Sequence, residues 1–334
     1  MRTSSQAPLI SVIVPVHNCE RYLGEALQSL SAQTFEDIEV VVVDDGSSDG
    51  SRTIAAQFAE RDRRFHLIAL PAPSGRPALP RNTGIAAARG TYIAFLDADD
   101  VALPNRFESA VDALRITAAE MVFADMVRMG PDAESVHATP ILQGRGFLRA
   151  AHEYLEPLST ALYLCRRAFP AFMVSTYEAI HVPTVVFLRE LLADEPFAFD
   201  DRLICGEDLD LFYRLARRTR PVFIDAVHSI VRVHHTSLTA LRPDQTATEG
   251  LAVRTKYFQK MRSELGSSEA HRTRQRLALA HWEIGYTRWC GGRNAPARAS
   301  FTASFRLRPS MTAAVAYLKA WLPRSRLLRS TRGA

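Results

Sequence analysis

The sequence has 334 residues, 47% of them hydrophobic and 23% charged, with a formal net charge of +5. This composition excludes an intrinsically disordered protein and is sufficient for one large domain with an appendage. Four scattered cysteines show neither CxxC nor zinc-site spacing, so we expect reduced thiols in a cytoplasmic protein. We recognise no signal peptide, and no run of about 20 apolar residues that could span a membrane.

The charge is distributed unevenly along the chain. From Ala252 onward there are 17 Lys and Arg residues against 3 Asp and Glu, a net charge of +14 that leaves −9 for the preceding part. An acidic first part suits a cation-dependent site, whereas an Arg-rich C-terminal region suits an anionic membrane surface or an acidic partner. A solvated helical face explains the C-terminal charge equally well.

The first hundred residues alternate between buried hydrophobic runs and amphipathic segments, which predicts a βαβαβ order and a parallel, doubly wound sheet. The predicted strands are Ile10–Val16, Ile38–Val43, His66–Leu70 and Tyr92–Leu96. The predicted helices are Tyr22–Ala32, Thr53–Arg61 and Arg81–Ala88, the last capped by Asn82 or Thr83. Such a sheet places the strand exits along one edge, where a nucleotide would lie.

The remainder of the chain has a weaker pattern. Residues 128–180 are poorly patterned and are expected to line a pocket. From Gln245 onward the sequence is helical by pattern and resembles a degenerate tetratricopeptide-type hairpin. The other predicted elements are a helix at Pro104–Ile116, a strand at Met121–Val127, a strand leading into a helix at Pro183–Leu192, a helix beginning near Glu207 and a short strand at Pro221–Ala226.

Three carboxylates follow the strand Tyr92–Leu96, namely Asp97, Asp99 and Asp100. Carboxylates at the carboxyl end of a strand can share Mg²⁺ or Mn²⁺ with substrate phosphates. Alternatively, some of them only terminate the strand and cap the next helix.

Other candidate residues each have a functional and a structural interpretation. Arg81, at a predicted helix start with free backbone N–H groups, suits a diphosphate or simply a surface ion pair. Glu207 and Asp208 suit a catalytic pair, yet capping a helix whose dipole favours ionised carboxylates explains them fully. His234 and His235 suit a Mn²⁺-type ion or an exposed loop.

Together, six segments resemble, in order and spacing, the family 2 glycosyltransferases with the GT-A fold. They are Ser11–Asn18, Val43–Asp49, Arg81–Gly84, Leu96–Asp100, Gly206–Asp208 and Arg232–Thr239. The resemblance implies an α/β GT-A domain at 9–240, with a mostly parallel sheet, a nucleotide-binding half at about 9–127 and an acceptor or catalytic half at about 128–240. A helical, Arg-rich region at 245–323 and a flexible basic tail at 324–334 would follow.

The resemblance also implies roles for individual residues. Those expected to bind the nucleotide-sugar are Pro15, Val16, Asn18, Glu20, Asp44, Asp45, Arg81, Asp97 and Ala98. Within this group Asp45 would bond the base edge with support from Asp44, and Arg81 would face the base or diphosphate. Asp97, Asp99 and His234, rather than His235, would hold Mn²⁺ or Mg²⁺. Asp208 would be the catalytic base, with Glu207 beside it.

These roles suit an inverting transfer of one sugar from a nucleotide-diphospho-sugar, for which we expect a UDP-hexose, to a hydroxyl of a glycan, lipid-linked or cell-envelope acceptor. Tyr286-Thr287-Arg288-Trp289 lacks the Gln of the Q-x-x-R-W motif of processive synthases, which favours single-sugar transfer. We expect no nucleic acid partner, peripheral contact of the basic helices with the inner face of the plasma membrane, and either a monomer or an oligomer. The alternatives are an inactive scaffold that binds a partner or membrane through its basic tail, and a nucleotidyltransferase.

Overall fold

The computed structural model describes residues 7–130, 139–193, 195 and 198–321. They divide into two compact units, one formed by 7–170 and 178–240 and the other by 171–177 and 241–321. The predicted tail 324–334 and the last two residues of the predicted region 245–323 lie outside the described residues.

The first four strands form a parallel sheet, as predicted. They are β1 (Ile10–Val16), β2 (Ile38–Asp44), β3 (Phe65–Ala69) and β4 (Tyr92–Phe95), in the spatial order β3-β2-β1-β4. β1 and β2 are buried along almost their whole length, which is why they appear in the sequence as continuous hydrophobic runs. Their carboxyl ends lie at one edge, so the loops after them are neighbours.

The remaining strands extend this sheet beyond β4 in the order β9-β6-β10-β8-β7. They are β5 (Val101–Ala102), β6 (Met121–Met129), β7 (Leu155–Pro157), β8 (Leu162–Cys165), β9 (Val186–Leu188) and β10 (Val222–Arg232). β9 is antiparallel to both β4 and β6, so the sheet is mixed. The predicted end of the strand at Ala226 was wrong, because β10 continues through a bulge as far as Arg232.

Helices lie between and after these strands along the chain. They are α1 (Glu20–Ser31), α2 (Ser51–Arg61), α3 (Ala78–Ala87), α4 (Arg106–Thr117), α5 (Ile141–Gly144), α6 (Phe147–Ala150), α7 (Phe169–Ser175), α8 (Glu207–Arg218) and α9 (Leu238–Leu241). Short 3₁₀ turns occur at His152–Tyr154, Val182–Thr184 and Arg189–Leu192, the last where an α-helix was predicted.

The predicted start of α3 at Arg81 was also wrong. The helix begins at Ala78 and contains Pro80, which is tolerated because the N–H groups of the first turn have no intrahelical partner. The Arg81 N–H therefore donates to Pro77 O instead of being free for a ligand. Asn82 is not a cap, since its amide exchanges two hydrogen bonds with the backbone of Phe199, at 2.8 and 2.9 Å.

The second unit contains the helices predicted for the C-terminal region. They are α10 (Pro243–Lys260), α11 (Ser267–Cys290), α12 (Asn294–Leu307) and α13 (Met311–Lys319). Gly285 in α11 allows close approach of the Phe301 ring, since a Cβ there would lie 2.7 Å from a ring carbon. None of the helices within the described residues combines the length and apolar character needed to cross a bilayer.

Candidate active site

The chain leaving β4 carries the three predicted carboxylates, but they have different environments. Asp97 and Asp99 are partly exposed, whereas Asp100 is buried. Asp99 Oδ2 lies 2.8 Å from His234 Nε2, and Asp100 Oδ1 accepts a 3.0 Å hydrogen bond from the backbone N–H of Arg232. The extension of β10 to Arg232 therefore joins the two loops that carry the candidate metal ligands.

Burial makes this group of carboxylates electrostatically unfavourable. Burial raises the pKa of Asp99, and the negative charge of Asp97 raises it further. The hydrogen bond and the charge of His234 lower it. Burial likewise raises the pKa of Asp100 well above its usual value, with further contributions from Asp99 and Asp97. A cation near Asp97 and Asp99 would relieve the repulsion between these charges.

Arg81 lies between the strand edge and the helix α8. Its Nη2 donates to Asp97 Oδ1 at 2.8 Å, and its Nη1 donates to Glu207 Oε1. Burial of the guanidinium opposes its charge, but the surrounding carboxylates of Asp97, Glu207 and Asp208 outweigh burial and raise the pKa of Arg81. Arg81 is thus a buried cation shared by two carboxylates, rather than the surface ion pair considered above.

Glu207 and Asp208 begin α8 immediately after Gly206, whose φ of 82° is in the left-handed region that favours glycine. Neither side chain caps the helix in the way suggested by the sequence: Glu207 pairs with Arg81, and Asp208 Oδ1 accepts from the N–H of Leu209 at 2.7 Å. Burial raises the pKa of Glu207 to about 7 and also raises that of Asp208, in both cases against the attraction of Arg81. Burial therefore opposes the preference of the helix dipole for ionised carboxylates at these two positions.

Residues after β1 hold the loop that follows β2. Asn18 has a φ of 48°, and its Oδ1 accepts from Ser48 N at 2.8 Å. Glu20 Oε2 accepts from Gly50 N at 2.6 Å. Pro15 and Val16 are in β1. Asn18 and Glu20 were predicted to bind the nucleotide-sugar. In the structure they connect the segment after β1 with the loop after β2.

Asp44 and Asp45 at the end of β2 are both buried and both paired. Asp44 Oδ2 lies 2.7 Å from the Arg52 guanidinium. Asp45 accepts from Ser74 N at 2.9 Å and from Ser74 Oγ at 2.7 Å. The sequence gave no reason to select Ser74, which lies in an irregular Pro-rich loop 29 residues away.

His234, rather than His235, faces the carboxylates. Its Nδ1 contacts Thr236 Oγ1 at 2.8 Å, so both ring nitrogens have partners, while His235 is exposed. The His234 ring lies 5.0 Å from the Tyr22 ring, over which the Arg232 guanidinium also packs at 5.0 Å. Sequence reasoning missed Tyr22 as a site residue because it matched the apolar face of a predicted helix. Ala98, between the two candidate metal ligands of the strand exit, is buried.

Asp97, Asp99 and His234 could supply only some of the ligands that a divalent cation needs. Within the described ranges, no three or more His, Cys, Asp or Glu side chains form a ready metal cluster. The side chains of Asp99 and His234 are in contact, and Asp97 precedes Asp99 by two residues. Three ligands would leave several coordination positions of a cation to other oxygens. Mg²⁺ commonly has just this arrangement, one or two carboxylates with substrate phosphates and water, so the residues fit a cation that arrives with a diphosphate.

Comparison with solved structures defines the class of fold. Residues 1–349 of S. aureus TarS in complex with UDP-GlcNAc match with a TM-score of 0.60 at 20% identity, covering 93% of this chain and 89% of that one. The mannosyltransferase PcManGT from Pyrobaculum calidifontis, in complex with GDP-Man and Mn²⁺, matches with a TM-score of 0.56 at 19% identity, covering 94% and 80%. The fold is the GT-A fold of glycosyltransferases.

Sequence comparison finds similar proteins for the first part of the chain. Residues 11–157, less than half of the chain, match the model "Glycosyl transferase family 2". The uncharacterized glycosyltransferase EpsJ of Bacillus subtilis is 38% identical over 125 residues. That match covers 37% of this chain and 36% of EpsJ, so the chain spans well under two thirds of this relative.

Proposed function

We propose that this protein is a cation-dependent, inverting glycosyltransferase that moves a single sugar from a nucleotide-diphospho-sugar to an acceptor hydroxyl. The observation that carries the proposal is the bridge from Asp97 through Arg81 to Glu207, which connects the candidate donor-binding edge with the start of α8, where the candidate base Asp208 follows Glu207. The match of residues 11–157 to the family 2 glycosyltransferase model supports it. The whole of residues 9–240 would form the catalytic domain, with donor-binding residues before about 127 and acceptor-binding residues after it.

Asp97, Asp99 and His234 would hold Mn²⁺ or Mg²⁺ together with the donor diphosphate. When bound, the cation would offset the charge that develops on the departing nucleoside diphosphate. The raised pKa of Asp99 supports this assignment, because a carboxylate that is costly to ionise alone is stabilised by a nearby cation.

Asp208 would remove the proton from the acceptor hydroxyl as that oxygen attacks the anomeric carbon. Its raised pKa suits a general base, since a more basic carboxylate takes a proton more readily near neutral pH. Glu207 and Arg81 would orient it, because Glu207 is fixed one residue away by the buried ion pair. Pro15, Val16, Asn18, Glu20, Asp44, Asp45 and Ala98 would form the donor side of the cleft.

We propose a UDP-hexose as the donor and a glycan, lipid-linked or cell-envelope hydroxyl as the acceptor. Among the similar structures, TarS was solved with UDP-GlcNAc and PcManGT with GDP-Man, so a nucleotide-sugar donor is well supported and its base is the point to test. We further propose a cytoplasmic location with peripheral contact between the basic C-terminal helices and the inner face of the plasma membrane.

Replacing Asp208 with Asn tests the assigned base. We expect transfer to fall about 10²- to 10⁴-fold, the usual contribution of a general base, while the donor Kd stays nearly unchanged. Release of nucleoside diphosphate measures transfer and calorimetry measures donor binding. Asp201→Asn, at a nearby exposed carboxylate, is the matched control and should retain activity. Equal loss of transfer and donor binding in Asp208→Asn would contradict the assignment.

A further inference from the structure

The last described helix, α13, faces a core with alanines and exposes three of its larger apolar side chains. Ala313 and Ala320 are buried, the latter in a core with Ala297 and Phe301, and Ala316 packs against the same core. On the opposite side of the helix, three large apolar side chains are exposed, namely Met311 at 79%, Val315 at 40% and Leu318 at 63%. Their spacing of four and three residues forms one stripe. An amphipathic helix in water normally has the reverse arrangement.

Trp321 extends the stripe just beyond α13. Its side chain is 60% exposed, and the Arg298 guanidinium lies over its ring, 4.0 Å from the centroid. Arg298 also donates to the carbonyl of Ala320 at 3.1 Å, which fixes the guanidinium beside the ring. An exposed Trp held beside a cation combines an apolar body with a polar rim, a combination favoured at the interface between lipid and water.

The sequence on both sides of this stripe carries only positive charge. Residues 291–321 contain no Asp or Glu, and Arg306, Arg308 and Lys319 are exposed. The following residues 322–334 add four arginines and no acidic residue. A partner for this surface must therefore be apolar at its centre and negative around it, which describes the interface of an anionic bilayer.

We propose that the stripe Met311, Val315, Leu318 and Trp321 inserts into the headgroup region of an anionic membrane, with α13 lying in the plane of the surface. The inference rests on the peripheral contact proposed above and identifies the surface that makes it. Apolar insertion supplies affinity that is independent of salt, while the surrounding Arg and Lys residues supply a salt-dependent part. Binding should therefore persist in part at high salt, which charge alone would not allow.

Vesicle sedimentation of the full chain tests this inference. With vesicles of phosphatidylcholine containing about a third phosphatidylglycerol, we expect Met311→Ser/Val315→Ser/Leu318→Ser to bind at least about tenfold more weakly than the wild type, since each removed side chain loses apolar burial. Ile116→Ser, at an equally exposed apolar position on α4, should bind normally.

Lys319→Gln with Arg308→Gln should weaken binding mainly at low salt. Trp321 fluorescence should shift to the blue on binding, and Trp321→Phe should abolish that shift.

The outcomes separate the two proposals. If the wild type does not bind these vesicles, peripheral contact itself is wrong and this inference fails with it. If the wild type binds but the triple variant binds equally well, membrane contact stands and the assigned surface is wrong. Dissociation of a wild-type oligomer by the triple substitution, with vesicle binding unchanged, would assign the stripe to self-association. Release of nucleoside diphosphate without vesicles should be the same in all variants, so the glycosyltransferase proposal is tested separately.

Discussion

At the scale of single residues, Arg81 connects the two halves of the candidate site. It is buried, and its two terminal nitrogens reach carboxylates that come from the end of β4 and the start of α8. A lone buried carboxylate is costly, so the buried Glu207 depends on the shared guanidinium more than the partly exposed Asp97 does. Lysine could not replace it, because a single ammonium lacks the planar fork that contacts two partners at once.

Replacing Arg81 with Met should therefore destabilise the fold strongly. We expect a loss of about 3 kcal/mol in the free energy of unfolding, typical of breaking a buried ion pair by removing one partner. Urea denaturation measures it. The control is Arg220→Met, which removes one side of the exposed pair Arg220–Glu156 and should cost no more than about 1 kcal/mol. Equal losses in the two variants would mean that the Arg81 bridge is not important for stability.

The raised pKa of Glu207 predicts a pH dependence of stability. Between its ordinary value of 4.5 and its folded value of about 7, the folded state binds more protons at this carboxyl than the unfolded state does. Its contribution to stability therefore falls as pH rises through this window and is lowest above about pH 7. In Glu207→Gln, the difference in unfolding free energy between pH 5 and pH 8 should be smaller than in the wild type. A larger difference would show that the pKa is shifted in the opposite direction.

At the scale of elements, α3 packs closely against the sheet at this edge. Gly84 lies over Ile13 of β1, and a Cβ at that position would overlap the isoleucine side chain. This close packing brings the backbone of α3, and with it Arg81, within reach of Asp97. The same helix is tied to the segment before α8 by the paired hydrogen bonds between Asn82 and Phe199.

A pair of glycine substitutions tests this packing. Gly84→Ala should destabilise the protein by about 1–3 kcal/mol through overpacking, despite the better helix propensity of alanine. Gly24→Ala in α1, where nothing lies within 4 Å of the new Cβ, should instead stabilise it by up to about 1 kcal/mol. Thermal or urea unfolding of both variants provides the comparison. Stabilisation of both would show that α3 does not pack closely on β1.

At the scale of the whole molecule, the sequence predicted the parallel part of the sheet because buried parallel strands are long, continuous hydrophobic runs. β7 and β8 were missed because strands of three or four residues have no distinctive period. Local sequence patterns also cannot predict contacts between residues that are far apart in the chain. Examples are Arg81 with Glu207, 126 residues apart, and Asp45 with Ser74. The family resemblance selected His234 over His235, while its contact with Asp99 depends on the full length of β10.

A thermal-shift measurement with UDP, GDP, CDP and dTDP, each with and without Mn²⁺, on the wild type and on Asp99→Asn tests whether this protein binds a nucleotide together with a cation at Asp99. Ligands that bind only the folded state stabilise it, by about 2.7 kcal/mol at a hundredfold excess over Kd. We predict that one nucleotide, UDP, raises the Tm of the wild type strongly only when Mn²⁺ is present, and that Asp99→Asn loses this Mn²⁺-dependent part. An unchanged Tm with every nucleotide, with or without Mn²⁺, would contradict the proposal that this protein binds a nucleotide-sugar donor.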